Sequence, residues 1–154
     1  MAQTTGGMAA TDMSVWLSTD GSAWTDVSGY ANSVEIDGGE RETGNAYTFD
    51  GDTAIIKAGK RGPLTITVRG IYTETATEYY DKVVDAYEAG SDLYVRWSPG
   101  GGDAGDLGFT SQAGIVKNAP YPVGEANAPD PIMTELVLEC AYVTEAAIGT
   151  AGWS

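Results

Sequence analysis

Histidine is absent from this 154-residue chain, and with it the side chain that most often serves as general base, nucleophile activator and metal ligand. Cysteine occurs once, at Cys140, so no intrachain disulfide can form and nothing points to an oxidising compartment. No run of about 18 apolar residues exists to cross a bilayer as a helix. Residues 1–12 have neither a basic nor an apolar region, which argues against a secretory signal and for a flexible arm. Positive charge is scarce: eight Lys and Arg stand against 22 Asp and Glu, for a formal net charge of −14. Such a surface repels phosphates, which excludes a general grip on the nucleic-acid backbone. The acids are dispersed rather than gathered in a tail, so the plain explanation of the charge is solubility.

What is present is β-rich, and about 150 residues suffice for a single domain with its own core. Residues 63–99 read as strand, helix, strand. Leu64, Ile66 and Val68 alternate with Thr65, Thr67 and Arg69, the period of a strand with one buried and one wet face. Thr75 and Glu78 have capping-box spacing, which predicts a helix over residues 75–89 with the apolar stripe Tyr80, Val83, Val84 and Tyr87. Gly90 follows as a left-handed cap, and Leu93, Val95 and Trp97 open the next strand.

Around this centre the chain supplies more strands. Val15 and Leu17 share a face with Trp16 on the other, Thr19-Asp20-Gly21 turns, and Trp24 lies on the return, which predicts a front hairpin. Val34 and Ile36 should point inward and Glu35 and Asp37 outward. Residues 38–62 predict a projecting hairpin, with strand pieces at 46–49 and 53–57 around the Asp50-Gly51-Asp52 turn. Residues 109–117 read as one strand, and residues 118–131 hold four of the six prolines, a loop composition. In the last strand, Leu136, Leu138, Cys140 and Tyr142 share a face, opposite Glu135, Val137, Glu139 and Ala141. The domain should therefore span residues 13–143, between the arm at 1–12 and a fraying tail at 144–154.

Candidate chemistry is thin. Asp50, Asp52, Asp103 and Asp106 invite a calcium reading, but none has EF-hand spacing, and turns account for them. Gly59-Lys60-Arg61-Gly62 lacks the Walker pattern. Carboxylate pairs on strands could resemble a glycosidase acid and base, but solvated acids on a wet face explain them more simply. Nine tyrosines and four tryptophans could form a sugar-stacking platform; core packing is the cheaper account. These residues give no catalytic, cofactor or metal site, and no enzyme is expected.

The stretch W-L-S-T-D-G-S-A-W-T-D-V-S-G, the polar segment G-G-E-R-E-T-G-N-A-Y-T-F-D-G-D and the strand L-T-I-T-V-R-G leading into a single helix resemble the tail tube (major tail) proteins of long-tailed bacteriophages over residues 13–98. The resemblance implies a mainly β fold with one α-helix: a β-sandwich or partial barrel that contributes strands to a ring-wide inner β-barrel. It also implies a structural virion protein, assembled in the host cytoplasm, whose hexameric rings stack into a hollow tail tube for DNA. Partners would be further copies of itself and the tape-measure, terminator and baseplate or tip proteins. An acidic chain suits a conduit that must not retain DNA. On this reading Glu40, Arg41, Glu42, Asp50, Asp52, Lys57, Lys60 and Arg61 would serve contacts between subunits or rings, and Glu35, Asp37, Glu135 and Glu139 would face the lumen. The alternative is an extracellular β-sandwich module for glycan binding or adhesion.

Overall fold

The computed structural model describes residues 6–126 and 129–153. Eleven strands and one α-helix are arranged among them: β1 (Ser14–Ser18), β2 (Thr25–Asp26), β3 (Ala31–Gly38), β4 (Arg41–Ala46), β5 (Ile55–Arg61), β6 (Leu64–Ile71), α1 (Tyr79–Ala89), β7 (Tyr94–Ser98), β8 (Leu107–Ser111), β9 (Gly114–Val116), β10 (Met133–Cys140) and β11 (Val143–Ala147). Three antiparallel sheets result, ordered β11-β8-β7-β1-β2, β3-β6-β10-β9 and β4-β5. The inner faces of the two larger sheets supply one core, with Val15, Leu17, Val95 and Trp97 from the first and Ile66, Val68, Leu136 and Leu138 from the second. At one border an isolated bridge between Leu93 and Gly114 ties the sheets together. Nothing comparable joins β1 to β3, so the described barrel is partial.

The front hairpin forms because Asp20 organises its turn. Its carboxylate accepts hydrogen bonds from the Ser22 and Ala23 N–H groups, both 2.8 Å, and from Ser18 Oγ, while Gly21 takes a positive φ. Those N–H groups hold the Asp20 carboxyl well below the usual carboxylate range. The strand expected over 109–117 breaks into β8 and β9 at residues 112–113, and its partner breaks between β10 and β11. Both arms of this ribbon pass from one sheet to the other at the same place, since β8 pairs with β11 and β9 with β10. This corner corrects the reading of Tyr142, which lies in the break between β10 and β11 and is exposed, whereas Leu136, Leu138 and Cys140 are buried as expected.

The helix is shorter than its sequence pattern and turned about its axis. The Thr75–Glu78 capping box does not form. Thr77 takes φ 70°, its N–H donates to Asp81 Oδ2 at 2.8 Å, and Glu78 accepts from Thr73 Oγ1 at 2.6 Å. The helix starts at Tyr79 because that ring enters the core, where its hydroxyl donates to the Val68 carbonyl at 2.9 Å. The buried stripe is therefore Tyr79, Val83 and Ala86, rather than Tyr80, Val83, Val84 and Tyr87. Tyr80 and Tyr87 flank it, packed edge-on against Tyr72 and Tyr121. Gly90 caps the end with φ 61°.

The C-terminal segment is not a fraying tail. Residues 143–147 pair with β8, Ile148 is buried, and the Trp153 N–H donates to the Gly102 carbonyl at 2.9 Å. Of the arm expected at 1–12, residues 1–5 lie outside the described residues; residues 6–12 are exposed and include one 3-10 turn, Ala10–Asp12. No helix among the described residues is long and apolar enough to cross a membrane.

Candidate assembly surfaces

Residues 38–62 form the projecting hairpin, though its strands sit nearer the base than the sequence implied. Pairing runs from Arg41↔Arg61 to Ala46↔Ile55, so residues 47–49 lie in the loop and the 53–57 piece is displaced into β5. Register is inherited from the sheet below, where Gly38 opposes Leu64, rather than set by the Asp50-Gly51-Asp52 turn. Gly38 and Gly39, with φ 81° and 70°, bend the chain where it leaves that sheet. The Gly39 N–H still donates to the Pro63 carbonyl at 2.9 Å.

Every residue of β4 and β5 is exposed. Of the residues expected to serve contacts, Arg41 and Glu42 stand on β4 and Lys57, Lys60 and Arg61 on β5; Glu40 lies just before the hairpin, and Asp50 and Asp52 are in the tip. Arg41 donates to the Gly59 carbonyl at 3.0 Å and lies directly opposite Arg61. Like charges so placed are unfavourable unless a carboxylate approaches. Half of the chain's eight cations are on this hairpin.

Glu35, Asp37, Glu135 and Glu139 fall on one surface. The pairings Ser33↔Arg69↔Glu135, Glu35↔Thr67↔Val137 and Asp37↔Thr65↔Glu139 lay them in rows across the outer face of the four-stranded sheet. Two are offset by cations. Arg69 Nε meets Glu135 Oε2 at 2.8 Å, and Lys117 Nζ meets Glu139 Oε2 at 2.6 Å. The Glu135 carboxylate, and Glu35 more weakly, raise the Arg69 pKa above its ordinary value. The face is polar and mildly acidic. Ile36, expected to point inward, is 49% exposed, on the outermost strand of its sheet.

A third surface had no sequence signal beyond its tryptophans. On the outer face of the five-stranded sheet the Arg96 guanidinium carbon lies 4.8 Å from the Trp16 ring centroid, 4.5 Å from Trp24 and 4.4 Å from Trp153. Each such contact is worth about 0.5–1 kcal/mol at exposed sites. Burial among these rings lowers the Arg96 pKa. The cluster fastens the chain's end to the sheet, and a Cβ on Gly108 would collide with Trp153. A stacking platform for sugars needs free ring faces, and these face the chain's own Arg96. Cys140 is buried, and desolvation raises its thiol pKa, as befits a packing residue. Among the described residues no group of three or more acidic, Cys or His side chains could hold a metal.

No protein-family model and no curated protein matches this chain in sequence. Solved structures match it in fold. A chain in the tail of an empty gene transfer agent particle, refined with C6 symmetry, has a TM-score of 0.66 at 14% identity and covers 92% of this chain and 100% of its own. One from the sheath–tube complex of the extracellular contractile injection system PVC, in its extended state, scores 0.64 at 13% identity over 94% of each chain. One from the tube-terminating cap of the anti-feeding prophage scores 0.63 at 12%, covering 96% of this chain and 95% of that one. Over more than nine-tenths of its length this chain has the fold of tail-tube and tube-terminating proteins, the mainly β, one-helix architecture expected from its sequence.

Proposed function

We propose that this protein is a structural subunit of a phage-like tail, self-assembling into hexameric rings that stack into a hollow tube for DNA. The observation that carries the reading is the state of the four-stranded sheet. Among the described residues its β3 border is unpaired over eight residues and has no proline or lysine, while its other border is the short β9, bridged to Leu93 at Gly114. An edge so long and unguarded is a liability in a solitary protein and a pairing surface in a polymer. Joining residues 35–38 of β3 in one copy to the three-residue β9 side of the next uses two different surfaces, so repetition generates a ring if the rotation closes. The row of Glu35, Asp37, Glu135 and Glu139 would then line the bore, with Thr65 and Thr67 between them. A mildly acidic, hydroxyl-rich wall lets phosphates pass without holding them. The β4–β5 hairpin would reach a neighbouring copy, and tape-measure, terminator and baseplate proteins would meet the ends of the tube.

Negative-stain microscopy of the purified protein at rising concentration tests this. Filaments of uniform width with an open channel are expected; particles that stay monomeric at every concentration overturn it. If the four acids line the bore, converting Glu35, Asp37, Glu135 and Glu139 to Gln or Asn leaves tube yield unchanged and slows DNA delivery in an infectivity assay. Lost assembly would instead put this face in a subunit contact.

A further inference from the structure

The hairpin and the body of the protein carry complementary unmet needs. A two-stranded hairpin is marginal in water on its own, and β4–β5 has no core beneath it. Its outer half nevertheless exposes Tyr47, Phe49, Ile55 and Ile56, a concentration of apolar surface that marks a contact site. The body has an open groove of about 530 Å³ between β1 and the free edge of β3, with Met13, Val15, Ala31 and Val34 in its wall.

Charge selects the occupant. Residues 38–62 contain four cations and four acids and are neutral, so the whole −14 of the chain resides elsewhere. Two bodies of that charge repel, and the hairpin is the part of one copy that approaches another without penalty. Asp12, between the wall residues Thr11 and Met13, and Asp26, whose carboxylate accepts hydrogen bonds from the wall residue Ser28, offer carboxylates at the rim of the groove to the Arg41, Lys57, Lys60 and Arg61 cations of the hairpin.

Position selects the direction. The hairpin departs from the Gly38 end of β3, and the groove lies at the Ala31–Val34 end of the same strand, about 20 Å away at 3.3 Å per residue. A donor at one end and a receptor at the other make a head-to-tail contact between two different surfaces, which propagates as a column where the rotation does not close it into a ring. We propose that the groove between β1 and β3 receives the hairpin tip of a second copy, with Phe49 and Ile56 entering its apolar wall. This rests on the self-assembly reading above and assigns the receptor for it.

Two experiments on the full chain test the assignment. With p-benzoylphenylalanine in place of Phe49, irradiated assemblies should give intermolecular cross-links to peptides covering residues 8–18 or 28–36. Cross-links confined to other hairpin tips, or to α1, overturn the assignment while leaving assembly intact. In the second, Ile56→Asp disables the tip and Asn32→Trp, at an exposed position of the groove, blocks the receptor. Each variant alone should lose stacked filaments. An equimolar mixture should recover paired rings, because one good tip still meets one good groove. Failure of the mixture to pair, with rings and circular dichroism unchanged, overturns the assignment. Absence of assembly by the unaltered protein overturns the parent reading and this one with it.

Discussion

Reversing Lys60 and Arg61 to Glu is expected to abolish filaments while leaving the subunit folded. The two residues lie in the exposed β5 strand, at the base of the hairpin, where Arg61 faces Arg41 across the ladder. Neither makes an ion pair with a described residue of its own chain, so the folded monomer loses little by their reversal. Between copies the effect is large. The hairpin, neutral in the parent, would acquire the same sign as a body carrying the full −14, and every contact in the polymer repeats that repulsion. Sedimentation and negative-stain counts should show loss of filaments, with far-UV circular dichroism and thermal midpoint unchanged. Added salt should restore part of the assembly, since exposed charges are screened within about 8–10 Å at moderate ionic strength. Lys82→Glu, on α1 and away from the hairpin, is the control and should assemble like the parent. Filaments at parental yield from the double reversal would remove the hairpin from the contact.

Gly70→Val is expected to cost more stability than any surface change in the molecule. A Cβ at Gly70 would stand 2.6 Å from one Tyr79 ring carbon and within 3.0 Å of two others. Tyr79 is 1% exposed and cannot swing away, because its hydroxyl is bonded to Val68 O inside the core. Overpacking of this kind costs about 1–3 kcal/mol, roughly a 3–10 °C fall in Tm for a domain of this size. The start of α1 should lift from β6, giving a lower near-UV signal and faster amide exchange in residues 79–83. Gly70→Ala should show the same changes at smaller amplitude. A parental Tm for the valine variant would mean that Tyr79 does not occupy the space beneath β6.

Much of this fold was legible in residue types because the rules that set it are local. Alternation in Leu64–Val68 and Leu136–Cys140 fixes which face is buried, since neighbouring side chains on a strand point to opposite sides. Gly90 stops the helix because few other residues accept a left-handed backbone there. Asp20-Gly21 makes its turn from its own hydrogen bonds. The four acids Glu35, Asp37, Glu135 and Glu139 could be assigned to wet faces for the same reason, two on each strand.

What the residues could not disclose is decided by pairings across long separations. That Glu35 and Glu135 share one sheet face follows from β6 lying between β3 and β10, a fact of topology. The helix begins at Tyr79 rather than Thr75 because a ring buried beneath β6 outweighs a capping box worth about 1 kcal/mol. The ribbon of β8–β9 and β10–β11 breaks where it turns from one sheet to the other, and Tyr142 falls outside the core with that corner. The end of the chain reads as small residues and a stray tryptophan, yet Trp153 is held by Arg96, which lies 57 positions earlier in the sequence. Composition and periodicity thus determined a mainly β, acidic chain with one helix and a projecting hairpin. Tertiary structure alone decided which borders stay open, because an edge is defined by the partner it lacks.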